Sequence, residues 1–144
     1  MRLLDLNVLL YAVNEDSPHH ARASAWLGTA LNGSGTIALA WVVLLGFLRV
    51  ATSSRVLANP LTPDDAVRVV NGWLERPNVT LVNPGADHWR FLRSLLTDSG
   101  SGGNLTTDAH LAALAIEHGC ELCSTDADFA RFPRLSWTNP LVER

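Results

Sequence analysis

Lysine is absent from this chain: all eleven basic residues among its 144 are arginine. The formal charge of −3 excludes a broadly basic nucleic-acid sleeve. It leaves room for a nuclease, whose acidic site needs a metal ion before it tolerates phosphate, and arginine suits forked phosphate contacts better than lysine. Charge of either sign is scarce, at 17% against 47% apolar residues, which excludes a disordered polyelectrolyte. A single domain over residues 1–144, with enough chain to bury a core, is expected. No long apolar run occurs either. The longest uncharged one, 37–48, is too short to span a bilayer, and Asp5 interrupts the apolar start before it resembles an export signal. The expectation is a soluble, cytoplasmic chain with no membrane partner.

Cysteine is limited to Cys120 and Cys123, in C-E-L-C. Three residues apart on a strand, these side chains point to opposite faces, and no second pair completes a zinc site. Buried free thiols are expected, not a redox pair. Internal repeats, linkers and low-complexity tracts are also missing.

What is present concentrates in residues 105–132. The stretch LTTDAHLAALAIEHGCELCSTDADFARF reads as a helix, a glycine stop, a short apolar strand and a loop with two carboxylates. Thr106 or Thr107 is the expected cap, and Gly119 the expected stop. Asp108 lies in the first turn, with Leu111, Ala112 and Ala115 continuing its stripe toward the sheet. Asp126 and Asp128 leave the strand at its carboxyl end, where open parallel sheets place their ligands. Three carboxylates at one sheet edge suggest a metal ion, not a core.

Earlier in the chain, Leu3 and Leu4 read as a buried strand ending near Asp5, followed by a helix. Asp5 either caps that helix or binds something, since an acid at the end of an apolar strand must be satisfied. Ser17 as cap and Pro18 at the first helical position predict a helix to about residue 31. His19 and His20 in its first turn have no legible partner. A strand over 36–39 and an apolar helix over 41–51 follow. Thr62 caps a helix to about residue 74, a strand spans 78–82 and a helix about 86–96. Residues 97–104 read as a flexible Gly/Ser loop. A short helical turn at 129–132 and a last strand at 135–137 complete the pattern. Alternating strands and helices predict an α/β sandwich with a mainly parallel central sheet flanked by helices. Trp26, Trp41 and Trp73 read as core packing or as an interface.

With these residues placed, the chain resembles PIN-domain proteins of the VapC toxin type over its whole length. The resemblance rests on Leu4-Asp5-Leu6-Asn7-Val8-Leu9, Gly46-Phe47-Leu48-Arg49, Asp108 in D-A-x-L-A-A-L-A, and Thr125-Asp126-Ala127-Asp128-Phe129. It implies a PIN-like three-layer sandwich and a type II toxin. The implied activity is an endoribonuclease that cleaves RNA with a magnesium or manganese ion (Mg²⁺ or Mn²⁺). It also implies a homodimer silenced by a VapB-type antitoxin. Metal-site acids carry over onto Asp5, Asp108, Asp126 and Asp128. Hard divalent cations take oxygen ligands of this kind.

One departure stands out. Where many relatives carry the glutamate of E-F-L-R, this chain has Gly46. Losing an anionic ligand weakens metal affinity and puts a two-metal mechanism in doubt; the first loop offers Glu15 as a substitute, although nothing in the spacing requires it. An alternative reading is therefore a catalytically weak RNA- or protein-binding module. A phosphatase ranks last, because D-L-N-V lacks the D-x-D-x-T of aspartate-nucleophile enzymes. Arg49, three residues past Gly46, is either a phosphate-steering group or a structural arginine.

Overall fold

The centre of the sheet is a strand of only three residues, β1 (Arg2–Leu4), whose Leu3 and Leu4 are fully buried. The structure, a computed structural model, describes residues 1–100 and 102–142. Among these the order is β1, α1 (Leu6–Val13), α2 (His20–Asn32), β2 (Ile37–Ala40), α3 (Trp41–Ala51), α4 (Pro63–Leu74), β3 (Val79–Val82), α5 (His88–Ser99), α6 (Thr106–His118), β4 (Glu121–Cys123) and β5 (Trp137–Thr138). Short 3-10 turns at Gly103–Leu105 and Ala127–Arg131 flank α6 and β4. All five strands pair in parallel, in the order β3-β2-β1-β4-β5. This is the α/β sandwich expected, with a wholly parallel sheet.

That order decides where a site can form. From β1 the chain steps outward to β2 and β3, then returns past β1 to β4. Right-handed crossovers put α1–α4 on one face and α5 and α6 on the other. The packing agrees, since α1 lies on α2 and α3, α3 on α4, and α5 on α6. The direction reverses between β1 and β4, whose carboxyl ends meet in register at Leu4 and Cys123. A crevice at such a switch point is the general ligand position of open parallel sheets. Both covering layers also explain the strand compositions, with Ile37–Ala40 buried at every residue.

The core unites the sheet with α3 and α6. Phe47 packs edge-on against Trp73 at 4.8 Å, and Trp73 is buried. Trp26 is partly buried with the Arg2 guanidinium 5.6 Å over its ring, whereas Trp41 is 51% exposed. The tryptophans thus serve different surroundings and do not share one groove. Both cysteines are free and buried, and burial pushes the Cys123 thiol up to about 12. No helix among the described residues is long and apolar enough to cross a membrane.

Several boundaries differ from expectation for identifiable reasons. Helix α2 starts at His20, because Ser17 closes its own turn: its hydroxyl accepts from His19 N and its carbonyl from His20 N. Neither Thr106 nor Thr107 caps α6, since the 3-10 turn at Gly103–Leu105 feeds straight into it and Leu105 takes the cap position. Helix α5 runs from His88 to Ser99 and closes on Gly100 at φ 63°, absorbing the start of the expected loop. Residue 101 of that loop lies outside the described residues. The last strand forms at Trp137–Thr138, slightly later than the sequence pattern places it. Helix α6 is buried on more than its Asp108 stripe, for Ala109, Ala113 and Leu114 are also inside. It is covered by the sheet on one side and α5 on the other. By contrast Thr62 caps α4 through Asp65 N, and Gly119 stops α6 at φ 66°, as expected.

Candidate metal centre

Asp5 ends β1 and caps α1 at once, so its two expected roles coincide. Its Oδ1 accepts from Leu6 N at 2.7 Å. Its Oδ2 accepts from the Ser124 hydroxyl at 2.7 Å and from Asn7 Nδ2 at 3.3 Å. Burial raises its pKa, and these hydrogen bonds oppose the rise. Ser124 is fully buried and does more than serve Asp5. Its hydroxyl oxygen also accepts from Asp126 N at 3.0 Å and from Asn7 Nδ2 at 3.2 Å. Asn7 Oδ1 in turn accepts from Thr125 N at 3.1 Å. The ends of β1 and β4 are therefore laced together by side chains more than a hundred residues apart in sequence.

Asp126 caps the 3-10 turn that follows, accepting from Asp128 N at 2.9 Å. Asp108 reaches the same place from the first turn of α6. Carboxylate oxygens of Asp108, Asp126 and Asp128 lie within 4.8 Å of one another. Asp5 stands beside this group, close enough to act electrostatically on both Asp108 and Asp126. Asp108 has no hydrogen bond to its carboxylate among the described residues. Burial first, then the charges of Asp126, Asp5 and Asp128, push its pKa up to about 6. The cluster thus holds more negative charge than its surroundings neutralise. An all-oxygen donor set with that surplus fits a hard divalent cation.

The crevice continues into a cavity of about 430 Å³, lined by Asp5, Asp108, Thr107, Gly46 and Arg49 among others. Gly46 therefore faces the site. A Cβ there would meet Leu6 Cδ2 at 3.2 Å, the end of a partly exposed side chain. Arg49 is exposed on the same rim and makes no ion pair among the described residues. Glu15 follows the other end of α1, in a separate cavity with Leu57 and Leu61, so it does not replace the missing glutamate. His19 and His20 lie on the same remote side, where His20 Nδ1 is 3.0 Å from Tyr11 O.

The four aspartates singled out in the sequence come together. Ser124 was not singled out, and Asn7 carried no role of its own. The available signal was a small polar residue ending an apolar strand next to Thr125-Asp126, and an amide two residues past Asp5.

Residues 2–135 match the PIN domain family. Among curated proteins the chain is similar to ribonuclease VapC33 of Mycobacterium tuberculosis, 48% identical over 143 residues, covering 99% of this chain and all of that one. Ribonuclease VapC37 of the same organism is 46% identical over 140 residues, covering 97% of each. Among solved structures, a chain of VapBC2 from Rickettsia felis, bound to a DNA fragment from their promoter, superposes with a TM-score of 0.70. It is 22% identical and covers 96% of this chain and 97% of that one. M. tuberculosis VapC20, described as a sarcin–ricin loop cleaving toxin, gives a TM-score of 0.68 at 15% identity, covering 90% and 93%. Full-length identity near one half, on this sheet order and with these acids, leaves one reading: the chain belongs to the PIN-domain family, among the VapC ribonucleases.

Proposed function

We propose that this chain is the toxin of a type II toxin–antitoxin pair: one PIN domain over residues 1–144 that cleaves RNA phosphodiester bonds with Mg²⁺ or Mn²⁺. Asp5, Asp108, Asp126 and Asp128 would hold the ion. A VapB-type antitoxin would silence the enzyme, which would act in the cytoplasm as a homodimer. The observation that carries this reading is the convergence of four aspartates from the end of β1, the start of α6 and the turn after β4, with carboxylate oxygens of Asp108, Asp126 and Asp128 within 4.8 Å of one another and Asp108 pushed up to about 6 by burial and the neighbouring charges.

A bound divalent ion would acidify water and offset charge on the phosphodiester oxygens. The chain's own residues do the rest. Ser124 and Asn7 fix the Asp5 carboxylate, and Asp126 fixes the turn that carries Asp128. Asp108, the least tied of the four, would orient a water and take its proton. Arg49, which makes no ion pair among the described residues, would meet an RNA phosphate from the α3 rim.

The test is incubation of purified, antitoxin-free protein with total RNA, in Mn²⁺ and in EDTA, beside Asp5→Asn. Discrete fragments that require both the metal and Asp5 are expected. Cleavage by Asp5→Asn at the wild-type rate would remove the assignment. Gly46 favours a second reading, because it faces the cavity where a glutamate would otherwise add a ligand. RNA binding in Mg²⁺ without turnover, from folded protein, would point to that weak or binding-only module.

A further inference from the structure

The segment after Asp126 is short and anchored at both ends. Ala127–Arg131 forms a 3-10 turn begun by the Asp126 carboxylate, with Phe129 and Phe132 driven into the core. Residues three apart eclipse one another on such a turn. With both rings inside, Asp128 and Arg131 are left side by side at the surface. Arg131 Nη2 lies 3.8 Å from Asp128 Oδ1, and each side chain is about half exposed. Asp128 is also one of the three carboxylates within 4.8 Å of one another. Among the described residues no other arginine is ion-paired to a member of that group. One carboxylate of the cluster is thus already paired with a guanidinium.

We propose that Arg131 is an ion-gated RNA-binding residue, paired with Asp128 when the site holds no metal and released to the RNA backbone when Asp128 turns to the ion. This rests on the metal-dependent ribonuclease reading above. An exposed ion pair of this length is weakly held and exchanges readily. A divalent ion competes for the carboxylate with twice the charge and repels the guanidinium. The guanidinium fork then matches the oxygens of a neighbouring phosphate. Anchoring by Phe129 and Phe132 keeps Arg131 beside the site throughout, so the switch needs only a side-chain rotation.

The test uses full-length Arg131→Met and Arg131→Lys beside wild type. Mn²⁺ titration by calorimetry without RNA should show about three- to fivefold tighter binding for Arg131→Met, because a competing charge near 4 Å is gone. Binding of a fluorescein-labelled, mixed-sequence single-stranded RNA is then followed by anisotropy in Ca²⁺ and in EDTA, with the RNA checked intact. In Ca²⁺, Arg131→Met should lower the slope of log Kd against log salt by about 0.7, the loss of one phosphate contact on a single strand. Arg131→Lys should keep the wild-type slope, and in EDTA all three proteins should share one slope. An unchanged Mn²⁺ affinity, an unchanged slope in Ca²⁺, or an equal loss in EDTA would each overturn the gating. Wild-type protein that fails to cut total RNA would instead remove the ribonuclease reading beneath it.

Discussion

The two walls of the crevice are built in opposite ways. On the β1–β4 wall, Asp5 and Asp126 are locked by Ser124, Asn7 and backbone amides into one interlaced set. On the helical wall, Asp108 has no hydrogen bond to its carboxylate among the described residues and Gly46 contributes no side chain at all. The strand wall is rigid before any ligand arrives, which lowers the ordering cost of binding. The helical wall keeps its charge unneutralised, and in the proposed reaction it would carry the chemistry. It is also the wall on which this chain departs from its family's usual pattern. In the proposed mechanism preorganisation and reactivity fall to different elements.

The largest test of that contrast removes the reactive side. Asp108→Asn should reduce RNA cleavage by roughly 10²–10⁴-fold, as loss of a proton-accepting group does. Its melting temperature in EDTA should rise, because a mutually repelling charge is gone. A fall in melting temperature by calorimetry would mean that Asp108 supports the fold and not the site.

Removing the rigid side should cost both stability and affinity. Ser124→Ala deletes the hydroxyl that donates to Asp5 and accepts from Asp126 N and Asn7. Buried donors left without partners cost about 1–3 kcal/mol in denaturant unfolding. Loss of a supporting group of this kind typically weakens metal binding about 10–100-fold. If Mn²⁺ affinity stayed at the wild-type value, the lacing would be structural only.

Acidity gives a graded version of the same comparison. The Asp108 pKa of about 6 lies above the ordinary 3.8, so its proton is held more tightly in the folded state. Metal-free stability should therefore fall as pH rises from about 4 to 6, and Asp5, shifted in the same direction, adds to the trend. Mn²⁺ affinity should run the other way and weaken by about tenfold per unit below pH 6, because the proton competes for the ligand. Calorimetric titrations at several pH values check the sign. A flat profile would show that Asp108 is not a ligand.

The smallest expected effect comes from restoring the missing acid. Gly46→Glu should tighten Mn²⁺ binding severalfold by calorimetry, once Leu6 yields a few tenths of an ångström to the new Cβ, 3.2 Å away. Gly46→Ala is the control: it brings the same Cβ against Leu6 and the helix-propensity gain of about 1 kcal/mol, without a carboxylate. Equal Mn²⁺ affinity in both variants would place position 46 outside the site's reach.

Much of this organisation was legible in advance because it is local. Gly119 as a helix stop, Thr62 as a cap and the buried runs of β1 and β2 follow from dihedral and burial rules applied to a few neighbouring residues. Asp5, Asp108, Asp126 and Asp128 stood out because acids at the ends of apolar elements need partners. The helix starts that differ have separate local causes. At α2 the Ser17 hydroxyl serves the preceding turn instead of capping, whereas at α6 the 3-10 turn at Gly103–Leu105 runs straight into the helix and puts Leu105, not a threonine, at the cap position.

By itself, then, the sequence determined an alternating α/β chain with a mainly parallel sheet, four acids at or near element ends, and Gly46 at the place where the E-F-L-R pattern of the resemblance has a glutamate. Only the tertiary structure decided that β1 and β4 lie side by side, and with that every long-range feature of the site. Ser124 holds Asp5 across 119 residues of chain and Asn7 holds Thr125 across 118. Arg131 meets Asp128 because Phe129 and Phe132 pin the turn to the core and leave both charged side chains at the surface. Hydrogen bonds and charge coupling act over a few ångströms of space. Where the strands meet in the folded sheet, not how far apart they lie in the chain, sets which of those partners are within reach.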